Sequence, residues 1–325
     1  MQAAPIRIEL PTGLPVGTVN AYLFTEPEPV LVDTGLKSAE SLAALQAGLA
    51  KYDLAMADLA RVIVSHHHVD HFGLAATIAR AGNAEIWVLE STYAWLVDFE
   101  DKWRKRLAYY SDYLLESFGL ASEAIEPILK YMATVQDVCE TVPAHRVKTF
   151  TTEDQLSMGG ADWKVLHTPG HASTLTCFYQ PDLHHFLSTD MLLPLTPTPI
   201  VERPVDGTHR RGKPLLQYLS SLERVETLEV DQVFPGHGDP FTEHRELIRH
   251  QRERIQNRKE ECLQHLRKGF KTLGELLPIM YAHYPPAFRF AGLWMIVGYI
   301  DLLESEGKVF TEEKDGVWSY HAYRD

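Results

Sequence analysis

The stretch Ser65-His66-His67-His68-Val69-Asp70-His71 sets four imidazoles and a carboxylate within residues 66–71. It closes the segment 59–65 (LARVIVS), whose continuous β-branched run reads as a short buried strand. Residues 73–80 read as a helix that begins where the histidines end. Alternate residues of an extended segment point the same way, so His66 and His68 can grip one ion together. His67, between them, is expected to face the other way and to pack or support. Asp70 and His71 lie where the chain turns into the helix and can face a neighbouring position. Buried without such a role, clustered imidazoles would repel one another on protonation and lose solvation. A metal loop therefore explains this stretch better than a polar turn.

Three later segments have a common form, a strand end followed by turn residues. Thr168-Pro169-Gly170-His171 and Phe234-Pro235-Gly236-His237-Gly238 each supply a histidine, and Ser188-Thr189-Asp190 supplies a carboxylate. A lone histidine after Pro-Gly is ordinarily a surface turn residue. Two such segments and the aspartate, all downstream of the histidine cluster, point instead to a shared site.

The combination resembles the metallo-β-lactamase superfamily, in its hydrolase branch with the HxHxDH motif, over residues 1–90 and 146–240. Val32-Asp33-Thr34-Gly35 also fits that family's early VDTG segment. The resemblance implies a first metal on His66, His68 and His171, a second on Asp70, His71 and His237, and Asp190 bridging the two. It makes Asp33 a supporting partner near the metal loop, hydrogen-bonded but not ligating. The donor chemistry agrees independently. Five imidazoles, two carboxylates and no thiolate suit Zn²⁺ first, with Fe or Mn as alternatives. Seven ligands over two ions leave room for a bridging hydroxide, the open position that a catalytic site needs. Asp70 and Asp190 are accordingly the expected catalytic carboxylates, with Asp70 placed to orient the hydroxide.

The chain has 325 residues, 45% of them hydrophobic and 23% charged, with a net charge of −13. That balance is globular, not disordered, and a negative field disfavours tight non-specific nucleic-acid binding. Cys139, Cys177 and Cys262 are an odd, scattered set without a CxxC, suggesting a reducing compartment and small core residues. No signal peptide is read at MQAAPIRIELPTG, and no apolar run approaches the ~20 residues of a membrane span. A cytoplasmic protein is expected, without membrane association.

The fold class expected is α+β: a four-layer αββα metallo-β-lactamase sandwich with a helical insert and a small winged-helix-like C-terminal domain. Strands are read at 6–10, 20–24, 29–33, 59–65, 84–90, 146–151, 162–168, 174–180, 185–189 and 232–234, and helices at 38–51, 73–80 and 213–225. The catalytic domain is assigned to residues 1–242. Between about 91 and 146 no strand interrupts a series of aromatic residues at roughly helical intervals, so two or three inserted helices are expected there. Residues 243–325 read as three helices and a hairpin, the outline of a winged helix, and resemble the tail of a subgroup with glyoxalase II-like catalytic domains. Residues 292–306 hold Asp301, Glu304 and Glu306 and no Lys or Arg, unlike a helix that reads nucleic acid. The tail is therefore expected to be a packing or dimerisation module, with a homodimer as the expected partner state.

Several residues remain as substrate-binding candidates. Tyr109, Tyr110 and Tyr113 could donate to an oxyanion, and Arg210, in the basic patch 208–213, could meet a substrate carboxylate or phosphate. The basic run Lys102, Arg104, Lys105 and Arg106 and the charged helix over 250–268 read as solvated faces. The reaction expected is hydrolysis of a small thioester, ester or lactone by a metal-bridging hydroxide. A phosphodiesterase or endoribonuclease using the same site is the alternative, and a mononuclear iron persulfide dioxygenase a further one.

Overall fold

The computed structural model describes residues 4–14, 16–194, 199–204, 208, 211–284 and 286–324. Arg210 lies outside them. Six strands form the first sheet: β1 (Ile6–Leu14), β2 (Gly17–Phe24), β3 (Val30–Val32), β4 (Arg61–Val64), β5 (Glu85–Leu89) and β6 (Val147–Phe150), in spatial order β1-β2-β3-β4-β5-β6. The first three pair antiparallel, and β3 to β6 run parallel. Helices α1 (Ala39–Ala50), α2 (Val69–Phe72) and α3 (Ala75–Ala81) make the parallel crossovers. Ser38 caps α1, accepting from the Ser41 amide at 3.1 Å.

The continuous apolar strands have a simple explanation. In β4, Val62 and Val64 face the helices, while Ile63 faces the second sheet. In β3, Leu31 faces the helices and Val30 and Val32 the second sheet. Both faces are covered, so no polar residue is called for on either.

The second sheet has the order β11-β10-β9-β8-β7, from β7 (Gln155–Met158), β8 (Ala161–His167), β9 (Thr176–Gln180), β10 (His185–Thr189) and β11 (Gln232–Pro235). The short β7 was not foreseen, because four residues alternate too briefly to read as a strand. Trp163, Phe178, Leu187 and Phe234 of this sheet close on Phe24, Val32, Ile63 and Leu89 of the first. Helices on both outer faces complete the αββα sandwich.

The insert is helical, as the sequence predicts. It comprises α4 (Tyr93–Val97), α5 (Phe99–Tyr109), a π-helical turn (Tyr110–Leu114), α6 (Leu115–Ser117) and α7 (Ser122–Thr134). Its aromatic residues do more than fill its own core. Phe99 packs on Phe72 of the sandwich at 5.6 Å between ring centres, whereas Tyr110 and Phe118 reach Trp294, and Tyr113 and Phe118 reach Trp318. The insert is wedged between the sandwich and the C-terminal elements.

After α8 (Pro214–Glu226), the C-terminal region forms α9 (His244–Arg267), α10 (Leu273–Met280), α11 (Pro286–Ser305) and the antiparallel hairpin β12 (Val309–Lys314)–β13 (Val317–Ala322). Two expectations are corrected here. The charged α9 is not simply solvated: Ile248, Ile255, Cys262, Leu263 and Leu266 bury one face of it. Arg106 is likewise not part of a solvated face but only 4% exposed, lying over the rings of Trp95, Trp103 and Tyr110. A long stem and an amphipathic stripe hide apolar contact within a charged composition. In α11, Leu293, Ile296, Val297 and Ile300 are fully buried, and Asp301 receives Arg211 at 2.6 Å.

Candidate metal centre

The parallel strands deliver their C-terminal ends to one rim. Asp33 follows β3, the histidine-rich loop follows β4, Asp190 follows β10, and the Pro-Gly-His turn completes β11. Hydrogen bonds lace the rim together: Gly236 N to Thr189 O (2.8 Å), Asn20 N to Gly236 O (2.7 Å), Thr176 N to Ser65 O (3.0 Å) and Thr34 N to His71 O (2.7 Å). Asp33 adopts φ 62° and Thr189 φ 45°, a left-handed backbone uncommon for such residues. Strain of this kind is retained where neighbours over-determine it, commonly at functional sites.

Two trios of donors result. Donor atoms of His66, His68 and His171 lie within 4.8 Å of one another, as do those of Asp70, His71 and His237. His66 Nε2 is 3.0 Å from His68 Nδ1, which is 2.8 Å from His171 Nε2. Asp190 sits between the trios. Its Oδ2 is 3.2 Å from His171 Nε2 and 3.5 Å from His237 Nε2, and its Oδ1 is 3.4 Å from His71 Nε2. His237 Nε2 is 3.4 Å from Asp70 Oδ2. The structure thus brings together all seven residues that the sequence singled out.

Supporting contacts decide which ring nitrogen is available. Asp33 Oδ2 accepts from His71 Nδ1 at 2.8 Å, and the carbonyl of Thr18 accepts from His237 Nδ1 at 2.7 Å. Each acceptor holds the proton on Nδ1 and turns Nε2 towards the rim as the nitrogen available to a cation. Ser65 extends the logic. Its hydroxyl donates to Asp33 Oδ2 at 2.8 Å, so it can only accept from His66 Nδ1 at 2.9 Å, which again frees Nε2. Ser65 and Thr18 carry no sequence signal for this work.

Electrostatics fit a cation. Burial, then the neighbouring imidazoles, hold His66 and His68 well below the ordinary histidine range, hence neutral and ready to ligate. Burial alone would raise Asp190, but His71 and His237 overturn that and keep it ionised. Burial likewise opposes charging of His237, yet Asp190 and Asp70 push it up to about 10. Buried His71 Nε2 and Asp190 Oδ1 have no hydrogen-bond partner. Buried lone-pair atoms that converge without a partner are what a divalent ion would satisfy. Gly236 has no alternative here, since a Cβ built on it would overlap Asp190 Oδ1.

The other candidates are placed differently. Tyr110 donates its hydroxyl to Val201 O. Tyr109 is buried, and Tyr113 packs against Trp318. In the basic patch, Arg211 is taken up by Asp301, and Lys213 lies 3.6 Å from Glu304. His67 does face away from the rim, stacked on Trp95 at 4.1 Å, with Nδ1 2.8 Å from Thr174 Oγ1 and Nε2 3.3 Å from Glu202. Glu202 was not foreseen; a single acid in a Pro-containing segment gives no signal.

Comparison with known proteins agrees with this geometry. The family model described as the metallo-beta-lactamase superfamily matches residues 14–237. The chain is 29% identical over 316 residues to the probable metallo-hydrolase YqjP of Bacillus subtilis, spanning 93% of this chain and 92% of that one. The crystal structure of a metallo-beta-lactamase family protein from Thermus thermophilus superposes with a TM-score of 0.79 at 25% identity, covering 98% of both chains. A beta-lactamase domain protein from Burkholderia ambifaria has the same fold, with a TM-score of 0.78 at 24% identity over 98% of this chain and 92% of its own. At such coverage the likeness extends through the C-terminal helices.

Proposed function

The chain belongs to the metallo-beta-lactamase superfamily and is a metal-dependent hydrolase; from that premise we propose that it cleaves the acyl bond of a small thioester, ester or lactone at a dinuclear centre. The placement of Asp190 carries this reading, because its carboxylate reaches both trios, Oδ2 lying 3.2 Å from His171 Nε2 and 3.5 Å from His237 Nε2 and Oδ1 3.4 Å from His71 Nε2. His66, His68 and His171 would hold one divalent cation, Asp70, His71 and His237 the other, and Asp190 would bridge them. The donor set of imidazole and carboxylate suits zinc, with iron or manganese as alternatives.

Two divalent cations held by these residues would supply an acidified water as nucleophile and a Lewis acid for the carbonyl oxygen. The chain's own groups do the rest. Asp70, at the start of α2, is placed to orient the nucleophile's proton. Asp33, Ser65 and Thr18 keep the imidazole lone pairs turned inward. Trp95 and the insert cover the side of the loop away from the rim.

A small acyl substrate is favoured over a polyanion by the net charge of −13 and by α11, whose residues Leu293, Trp294, Ile296, Val297 and Ile300 are buried and not free to enter a groove. We read residues 1–242 as the catalytic unit and 243–325 as a winged-helix-like packing module. Among the described residues no helix is long and apolar enough to cross a membrane. The three cysteines are buried and unpaired, consistent with a cytoplasmic enzyme.

Metal analysis combined with a substrate panel tests the proposal. Two equivalents of zinc per chain and turnover of thioester or lactone, abolished by a chelator and restored by zinc, are expected. Turnover confined to bis-p-nitrophenyl phosphate would make the enzyme a phosphodiesterase. One iron per chain with O₂ consumption on a persulfide would make it a dioxygenase.

A further inference from the structure

A second carboxylate stands behind the other trio. Glu202 comes from the segment 199–204, which is clamped at three points: Ile200 N donates to His171 O at 3.3 Å, Val201 O accepts from the Tyr110 hydroxyl, and Glu202 itself accepts from Ser173 N at 3.0 Å and from Ser173 Oγ. Ser173 lies two residues beyond His171. The same carboxylate is 3.3 Å from His67 Nε2, between His66 and His68. It also lies within 4.8 Å of a His68 ring nitrogen, and His68 Nε2 is buried without a hydrogen-bond partner. His67 is held on its remaining sides by Thr174 and the face of Trp95, and Trp95 in turn lies under the guanidinium of Arg106 at 5.7 Å.

One acid thus touches both pieces of chain that carry the first trio and joins them to the insert. Asp33 does the equivalent for the second trio through His71. We propose that Glu202, acting through His67 and Ser173, is a positioning residue that sets the separation of His171 from the His66–His68 pair and so tunes the first cation site selectively. The proposal rests on the two-ion reading above. Glu202 is already engaged by Ser173 N, Ser173 Oγ and His67 Nε2, and acts on the site through them. Partners of ligands characteristically influence affinity in this way.

The experiment is a chelator competition on full-length protein loaded with Co²⁺, whose visible d–d bands report each site as it empties. Wild type should release two ions. Glu202→Gln should release one of them at roughly 10–100-fold lower chelator concentration, with the other unchanged. That second site is an internal control, because general loosening of the fold would move both. His67→Asn keeps a group for Thr174 while losing reach to Glu202, leaves the Glu202–Arg106 charges intact, and should show the same selective loss. Unchanged release in both variants, or equal weakening of both sites, overturns the proposal and leaves the dinuclear reading standing. A third ion, lost in Glu202→Gln while the first two stay, would make Glu202 a ligand and overturn its positioning role. A wild-type protein that binds no Co²⁺ overturns the metal centre itself, and this inference with it.

Discussion

Asp33 and His71, 38 positions apart, meet through one hydrogen bond of 2.8 Å that decides which nitrogen of His71 faces the rim. The acid also receives Ser65 N and Ser65 Oγ, each at 2.8 Å, so its orientation is fixed before any ion arrives. Asn would tolerate the same left-handed backbone, but its amide group offers a donor where Oδ2 accepts. It would drive the His71 proton onto Nε2. Asp33→Asn should therefore bind the second cation roughly 10–100-fold more weakly, as measured by chelator competition, with the circular dichroism spectrum retained.

Removing a ligand has a larger consequence. His68→Ala or Asp190→Ala should abolish turnover, a loss beyond the roughly 100-fold typical of a supporting partner. Both proteins should remain folded by circular dichroism, because the trios lie at the rim and not between the sheets. Near-normal kcat/KM in either variant would refute its assignment as a ligand.

Two glycines of one turn should separate space from conformation. Gly236→Ala places a methyl against Asp190 Oδ1 and within 3.0 Å of His71 Cε1, so metal content should fall. Gly238 has φ 81° and nothing nearer than Pro194 at 3.4 Å, so Gly238→Ala should cost ~1–2 kcal/mol of stability while metal is retained. Metal content by elemental analysis and thermal melts distinguish the two.

Glu202 gives a pH dependence whose sign can be worked out. Burial would raise its acid, but His67, then Arg106 and Ser173, bring it down to about 2. A depressed acid contributes stability above its unfolded value of 4.5, and that contribution disappears as pH falls towards about 2. The stability gap between wild type and Glu202→Gln, from melts of chelator-treated protein, should therefore narrow steadily below pH 4.5.

Arg211 and Asp301 hold the C-terminal unit to the chain that precedes α8. Asp301→Ala leaves the largely buried Arg211 guanidinium without its partner, which costs up to about 3–5 kcal/mol. The melting temperature should fall substantially. KM and kcat of the protein that remains folded should change little, since neither residue belongs to the donor groups at the rim.

How much of this was legible in advance differs from residue to residue. His66, His68, Asp70 and His71 were readable because they are neighbours in sequence after a strand, where alternation alone assigns direction. His171, Asp190 and His237 were readable as strand-end residues, although nothing local told of their meeting. The buried stripe of α9 and the burial of Arg106 were misread, because charge composition says nothing about where a long side chain lays its stem. Tyr110 looked like an oxyanion donor until its hydroxyl was found on Val201 O.

The sequence by itself determined the two-sided burial of the strands, the seven candidate metal-binding side chains and the helical character of residues 91–146. Each of these depends on spacing along the chain, which local stereochemistry converts directly into direction and exposure. Only the tertiary structure decided that Glu202 stands behind the first trio, that Ser65 and Thr18 select the ring nitrogens, and that the insert's aromatic residues reach Trp294 and Trp318. Those contacts join segments whose separation in sequence carries no periodic signal. They exist because the packed sheets bring strand ends and loops to the same rim.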